Sequence, residues 1–490
     1  MALRFAGYPA PVVYANPDGT TPVQQLLWGD WLSLESGRAG AYRRVRARGE
    51  DGWMHEDDIQ TERLLEVTFV DIGQGDGCHV VTPDDKHFVI DAGERDNMVR
   101  YLKWRYGGFR RPWTFEAAII THPDQDHYLG FVPLFKLPVV RFKTIYHNGF
   151  MERNGSDRLG PKVRDGRRSY YTDLVWDRPA LERFLSDPAV WARKKYPTML
   201  ADALANDRAD DIRMLSTDVG FVPGYGPTSA LQMRVLGPIP ERDANGLPRL
   251  RRLGNTGETK NGHSVVLRAD YGNVRLFLGG DLNRQSESWH LEHYTGLNPH
   301  PRTDAARAEL VAAARPTFEV DIAKSCHHGS HHFEPLFLEA LNPLATVISS
   351  GDDEPYGHPR ADALGAAGRY GRGPFPLVFS TELARSTKEA IKHPNVLRAR
   401  EAELRQQFET VPDGTPEGRA IRERIVREFR DVVASLDRSV AVYGAINVRT
   451  DGQRVVVAQK LERPRSKRAK WDVYRLEPDA SGQLAYVRSH

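Results

Sequence analysis

Between residues 63 and 360, seven apolar runs each break off into a short polar signature: "LLEVTFVDIGQGD", "HFVIDAG", "FEAAIITHPDQDH", "LQMRVLGP", "SVVLRADYGNVRLFLGGDL", "FEVDIAKSCHHGS" and "LATVISSGDDEPYGHP". The apolar parts read as buried strands, and the periodic stretches between them read as helices. This alternation constrains the region to a layered αβ architecture, and polar residues gathered at strand ends mark where such a scaffold carries its site.

A chain of 490 residues is too long for one small core and divides into two or three domains. Residues 1–62 carry short strands separated by the turn sequences "NPDG" and "GEDG", which predicts a small all-β barrel. The αβ region then spans 63–384. Within it, residues 150–230 hold helical patterns ("RPALERFLSDPAVWARKKY", "TMLADALAND") and are expected to form a helical insertion that serves as a lid or a docking surface. In 385–490, charged helices broken by "VPDGTPEG" precede a β-hairpin of "SVAVYGAINVRT" and "QRVVVAQKLE".

The formal charge of +3 argues against a general nucleic-acid coating and leaves such contacts to local patches. Two cysteines, Cys78 and Cys326, cannot build a disulfide framework, which fits a reducing cytoplasm. The opening "MALRFAGYPAPVVYANP" lacks the unbroken apolar core of a signal peptide, and no apolar stretch is long enough to span a bilayer.

The densest chemistry lies in "THPDQDH". Its two imidazoles and two carboxylates cannot all bind one ion comfortably, so His122 and Asp124 are expected to lean toward one cation, and Asp126 and His127 toward a second. Asp281, where an apolar strand ends in two glycines, is the expected bridging carboxylate, and His327 adds a nitrogen. His263 is a possible seventh ligand. His328 and His358 are open as ligands, proton donors or anchors for an anion.

The ordered set "DIGQGD", "VIDAG", "THPDQDH", "LGGDL", "CHHGS" and "YGHP" over residues 65–380 resembles the metallo-β-lactamase superfamily, in particular the hydrolase domain of the competence protein ComEC and its stand-alone soluble relatives. Asp124 stands where the wider superfamily has a second His, as in that branch. The resemblance implies an αβ/βα sandwich and two divalent metal ions, zinc or manganese. It implies metal roles for His122, Asp124, Asp126, His127, Asp281 and His327, with Asp71, Asp76 and Asp91 orienting ligands. Asp126, His328 and His358 are then the expected catalytic groups. Around His263, Asn261 and Ser264 match the relatives.

The first 62 residues are similar to bacterial Src-homology-3-like domains at Gly29, Asp30, Gly52 and Trp53, which implies a protein-docking role or a stabilising cap. The reaction expected is hydrolysis through a metal-bridging hydroxide. The ComEC-like branch implies a nuclease or phosphodiesterase acting on DNA or another nucleotide polymer. The alternatives are a hydrolase of a cyclic nucleotide, lactone or β-lactam, and a partner-binding scaffold with a structural metal site. Two basic stretches, 153–171 and 460–471, are available to a polyanion.

Overall fold

The computed structural model describes residues 4–351, 356–381, 394–412, 414–437, 440–462 and 464–488. Part of the stretch expected to open the 385–490 region lies outside the described residues. Among those described, no helix is long and apolar enough to cross a membrane.

The N-terminal strands Arg4–Ala6, Val12–Tyr14, Pro22–Gln25, Trp31–Ala39, Tyr42–Ala47, Glu50–His55 and Ile59–Gln60 form one seven-stranded antiparallel sheet. It wraps a core of Ala6, Val13, Leu26, Leu32, Val45, Ala47 and Met54. Arg48 and Gly49 make one of its two-residue turns, with left-handed φ of 48° and 83°, a backbone suited to a two-residue antiparallel hairpin.

This unit is anchored to the rest of the chain. Leu27 and Trp28 pack with Leu64, Val456, Ala458 and Trp471. Beside them Asp30 takes Arg48 at 2.6 Å and Arg449 at 3.2 Å, and Arg449 continues to Glu66 (3.4 Å), which also binds Arg105 (2.7 Å). Burial pushes the Asp30 and Glu66 carboxyls up, but the guanidiniums outweigh it and hold both below their usual range. Removing one member of such a buried network strands the charge of another.

Two larger sheets follow. The first has ten strands, ordered Ala209–Met214, Val140–His147, Trp113–Ile119, His87–Ala92, Gly77–Val81, Leu65–Phe69, Ile446–Thr450, Val455–Lys460, Trp471–Pro478 and Leu484–Val487. The second has six, ordered Leu231–Gly237, Val266–Tyr271, Val274–Leu278, Ile322–Lys324, Ala345–Ile348 and Leu377–Ser380, the last four parallel.

The sheets share one core, to which Val67, Phe88, Ile90 and Ile119 contribute from one side and Val235, Leu267, Ile322 and Val347 from the other. In "HFVI", Phe88 and Ile90 enter this core, while Val89 enters the layer of helices Asn97–Arg105, Phe131–Phe135 and Lys195–Ala205 outside the first sheet. Such period-2 partition is why a continuous apolar run suits a strand covered on both faces. Helices Arg284–Thr295, Asp304–Phe318 and Pro335–Leu341 cover the second sheet through Phe277 and Ala323. The chain is therefore mixed α/β, with two facing sheets between helical layers.

The stretch 150–230 is helical where the patterns predict, at Arg178–Leu185, Pro188–Trp191 and Lys195–Ala205, but it is not a separate helical insertion. Helix Lys195–Ala205 belongs to the outer layer, and Ala209–Met214 is the edge strand of the ten-stranded sheet, paired in parallel with Val140–His147. Ahead of these helices the stretch is β: Lys162–Asp165 and Arg168–Tyr171 form a hairpin that joins Pro248–Arg251 and Glu241–Arg242 in a four-stranded sheet. The expected C-terminal hairpin is four strands long, and its first strand pairs with Leu65–Phe69.

Candidate metal centre

The polar signatures converge because the strands that carry them end at one edge of the two facing sheets. Asp91 closes strand His87–Ala92, His122 follows Trp113–Ile119, Asp281 follows Val274–Leu278, and His327 and His328 follow Ile322–Lys324. The carboxyl ends of parallel strands are where open αβ sheets receive ligands.

Asp281 is the hub. Its Oδ2 lies 3.2 Å from the Nε2 atoms of His127 and His328, and 4.0 Å from those of His122 and His327. On the opposite wall, Asp126 Oδ2 is 3.6 Å from His328 Nε2, and Asp126 Oδ1 is 4.0 Å from His127 Nε2. Four triads bring one ligand atom per residue within 4.8 Å of one another: His122, His127 and Asp281; Asp126, His127 and His328; Asp76, Asp281 and His328; Asp76, Asp91 and His127.

The donor set fits a cation. The Nε2 atoms of His122, His127 and His328 and Oδ1 of Asp281 are buried without a hydrogen-bond partner among the described residues, an arrangement that is costly unless something else satisfies them. Imidazole with carboxylate is also a combination that suits zinc or manganese. Electrostatics point the same way. Burial disfavours charge on His127 and His328, yet the surrounding carboxylates lift both, His328 to about 10. Burial likewise opposes ionisation of Asp281, but the imidazoles of His127, His328 and His327 hold its carboxyl well below the usual range. His327, with fewer carboxylates near it, is pushed down to about 4 by burial.

Second partners aim the ligands. Asp91 Oδ2 accepts from His127 Nδ1 (2.8 Å) and from the Thr121 hydroxyl (2.7 Å), and Asp91 Oδ1 accepts from the Thr121 amide (2.8 Å). The Asp91 bond leaves Nε2 of His127 facing the cluster. Asp76 Oδ1 lies 3.2 Å from His328 Nδ1. Asp71 accepts from the Gly73 amide (3.2 Å) and so shapes the loop that delivers Asp76. That loop sits directly on the Asp126 backbone: the Asp76 amide donates to the Asp126 carbonyl (3.2 Å), and a Cβ on Gly75, at φ +102°, would overlap the same carbonyl. Asp91, His327 and His328 hold left-handed φ of 54°, 49° and 55°, each at a cost of order 1–3 kcal/mol.

Some expected residues stand elsewhere. His263 is turned away: its Nε2 bonds the Arg251 carbonyl (2.7 Å), its ring meets Phe150, and burial pushes it down to about 4, so its place as a seventh ligand is withdrawn. Asp124, 3.5 Å from His122 Nε2, is at the rim, held by Lys260 and by Asn261 Nδ2 (2.8 Å) in the amide orientation that satisfies both Asn261 atoms. His327, at 4.0 Å from Asp281, is also outside the four triads, whereas His328 is inside two of them. His358 lines the entrance, its ring centroid 5.8 Å from that of His327 and 6.3 Å from that of His328. The entrance is a cleft of about 340 Å³ whose walls include Gln74, Asp126, His328, Tyr356, His358 and Arg360.

Two lysines escaped the sequence reading. Lys324 is buried, with Nζ bonded to Asp76 and to the Gly280 carbonyl (2.8 Å) and 3.8 Å from Asp281 Oδ1. Burial disfavours its charge, but Asp76 and Asp281 raise its pKa. Lys260 pairs with Asp124 and lies 3.6 Å from Glu152. A cation inside "DIAK", an otherwise apolar strand, was the available signal for Lys324; "ETKNG" offers none for Lys260. No protein-family model matches the chain, and no curated protein matches it.

Proposed function

We propose that the protein is a metal-dependent hydrolase of phosphodiesters, built as an αβ/βα sandwich of metallo-β-lactamase type. The observation that carries the reading is the Asp281 carboxylate with four imidazole Nε2 atoms 3.2–4.0 Å around one of its oxygens. His122, His127 and Asp281 would hold one divalent cation, and Asp126 with His328 a second. Two such cations, zinc or manganese, would supply Lewis acidity and a water ionised near neutral pH.

The chain's own groups do the rest. Asp91 and Asp76 fix the rings of His127 and His328 so that each Nε2 lone pair faces inward. Lys324 balances the buried carboxylates from behind. Arg360, on the cleft wall, offers a guanidinium to anionic oxygens. His358 on the same wall is placed to give a proton to a leaving alkoxide.

The test is metal content and turnover on the full chain. Protein loaded with manganese or zinc should hydrolyse bis(p-nitrophenyl) phosphate and a nucleic-acid polymer, and Asp281→Asn should lose metal and both activities. A chain that takes up no divalent metal, or one whose turnover survives Asp281→Asn, overturns the proposal.

A further inference from the structure

The region 150–195 holds eleven Lys and Arg against seven Asp and Glu, a surplus of four, while the whole chain has a surplus of three. The charge excess of the protein is thus concentrated in these 46 positions, and the remainder sums to −1.

The structure consumes the acids of this region. Glu152 faces Lys260, Asp157 faces Lys162, Asp165 faces Arg249, Asp173 faces Arg153 and Glu182 faces Arg178, while Asp177 and Asp187 cap helix N-termini. Several cations stay uncommitted: Arg158, Arg164, Arg167 and Arg193 are exposed and have no carboxylate partner among the described residues.

The two faces of the hairpin differ in their partners. On one, Asp165 and Tyr170 turn inward to Arg249 and Glu241. On the other, Lys162 and Arg164 are exposed, Lys162 beside Asp157 and over the Tyr171 ring, with Arg167 in the turn.

This arm adjoins the metal cluster. Tyr170 pairs with Arg251 at the end of Pro248–Arg251, and the chain runs from there into helix Thr256–Gly262, whose Lys260 and Asn261 hold Asp124. From the far end of the region, Lys195 Nζ donates to Gln125 Oε1 (2.9 Å), between Asp124 and Asp126. The other basic stretch is placed differently. Arg468 donates to the Gly19 and Thr20 carbonyls and Lys470 to Gln24, against the N-terminal sheet. Three strands separate its flanking strand Val455–Lys460 from His87–Ala92, roughly 19 Å at the usual strand spacing.

We propose that residues 150–195 form a polyanion-binding arm that holds the sugar-phosphate backbone of a nucleic-acid strand against the mouth of the metal cluster, an inference that deepens the phosphodiesterase reading and rests on it. Exposed guanidiniums on a β-ribbon suit phosphate oxygens, which arginine binds in bidentate fashion. Contacts of this kind read backbone charge and not base sequence.

Binding of a fluorescein-labelled 30-mer to the full chain in EDTA, from 50 to 200 mM salt, tests it, with single-stranded DNA, single-stranded RNA and duplex as separate arms. The variant is Arg158→Gln/Arg164→Gln/Arg167→Gln/Arg193→Gln, and the control is Arg465→Gln/Lys467→Gln. Four phosphate contacts contribute a log–log salt slope of about 2.8 on a single strand and about 3.6 on a duplex. The quadruple variant should therefore lose about 50-fold of the single-strand salt dependence across that range, while the control stays near wild type.

Unchanged turnover of bis(p-nitrophenyl) phosphate by the quadruple variant shows that fold and metal cluster are intact. Wild-type binding by that variant, with the small diester still turned over, overturns the arm alone. Loss of polymer binding in a protein that never hydrolyses any diester sinks the phosphodiesterase reading and leaves the arm. Competition by polyglutamate equal to that by nucleic acid overturns the choice of ligand.

Discussion

Replacing Lys324 by Met removes a buried cation whose ammonium contacts parts of the site. Its Nζ touches Asp76 and the Gly280 carbonyl and stands 3.8 Å from Asp281. Met fills nearly the same volume, so the effect is electrostatic: Asp76, itself buried and held at about 2, keeps His328 as its remaining cationic partner. Burial pushes the Asp76 carboxyl up, and Lys324 is the largest influence holding it down. Breaking a buried pair from one side costs about 3–5 kcal/mol, and the metal-free protein should lose that much in urea-denaturation experiments. Asp76→Asn alone should cost a comparable amount. The double variant should cost at least about 2 kcal/mol less than the two singles together, since neither charge is then stranded. A saturating divalent cation should restore part of the lost stability of Lys324→Met, because binding to the folded state adds stability by mass action. Additive single effects, or a loss under about 1 kcal/mol for Lys324→Met, would refute the view that this lysine balances the cluster.

Asp91→Asn should weaken metal affinity by about 10–100-fold, read by calorimetric titration, because His127 loses the carboxylate that orients it. Glu287 is fully buried and burial pushes its carboxyl up to about 8; the unfolded chain ionises it at about 4.3. Its contribution to stability is therefore fully present below about pH 4.3 and lost as pH rises toward 8. Glu287→Gln should accordingly raise stability relative to wild type increasingly over that window, and parallel stability–pH curves would contradict this. Arg449→Met leaves Asp30 and Glu66 each with one guanidinium fewer and should speed protease cleavage between residues 60 and 65, followed by mass spectrometry.

Much of the site is legible because its signals are local. "FEAAIITHPDQDH" announces a strand and the donors after it within one window, and "VIDAG" and "LGGDL" do the same for Asp91 and Asp281. What is illegible depends on partners far away in the chain. "NGHS" reads as a ligand segment, but His263 is claimed by the carbonyl of Arg251, in a strand whose position follows from a hairpin near residue 170. The strand "ADDIRM" looks like a polar loop, since its edge position lets Asp210 and Arg213 reach solvent while Ile212 and Met214 turn inward. For Lys324, burial is intelligible only once Asp76 and Asp281 are beside it. His328 enters the cluster, and not merely its entrance, through a left-handed backbone at two consecutive histidines, a conformation histidine adopts too seldom for the sequence to forecast it twice in a row.

The strand Leu65–Phe69 pairs on one side with the nearby Gly77–Val81, but on the other side with Ile446–Thr450; Thr68 and Asn447 meet across 379 positions. During synthesis at 5–20 residues per second, that edge waits roughly 20–75 s for its mate to emerge. Until then a row of main-chain donors and acceptors is open to foreign strands. The nascent chain thus has a long interval in which a chaperone, or slow translation at low temperature, decides between soluble product and inclusion body. Shortening the wait by circular permutation, so that 446–487 is made before residue 65, should raise soluble yield.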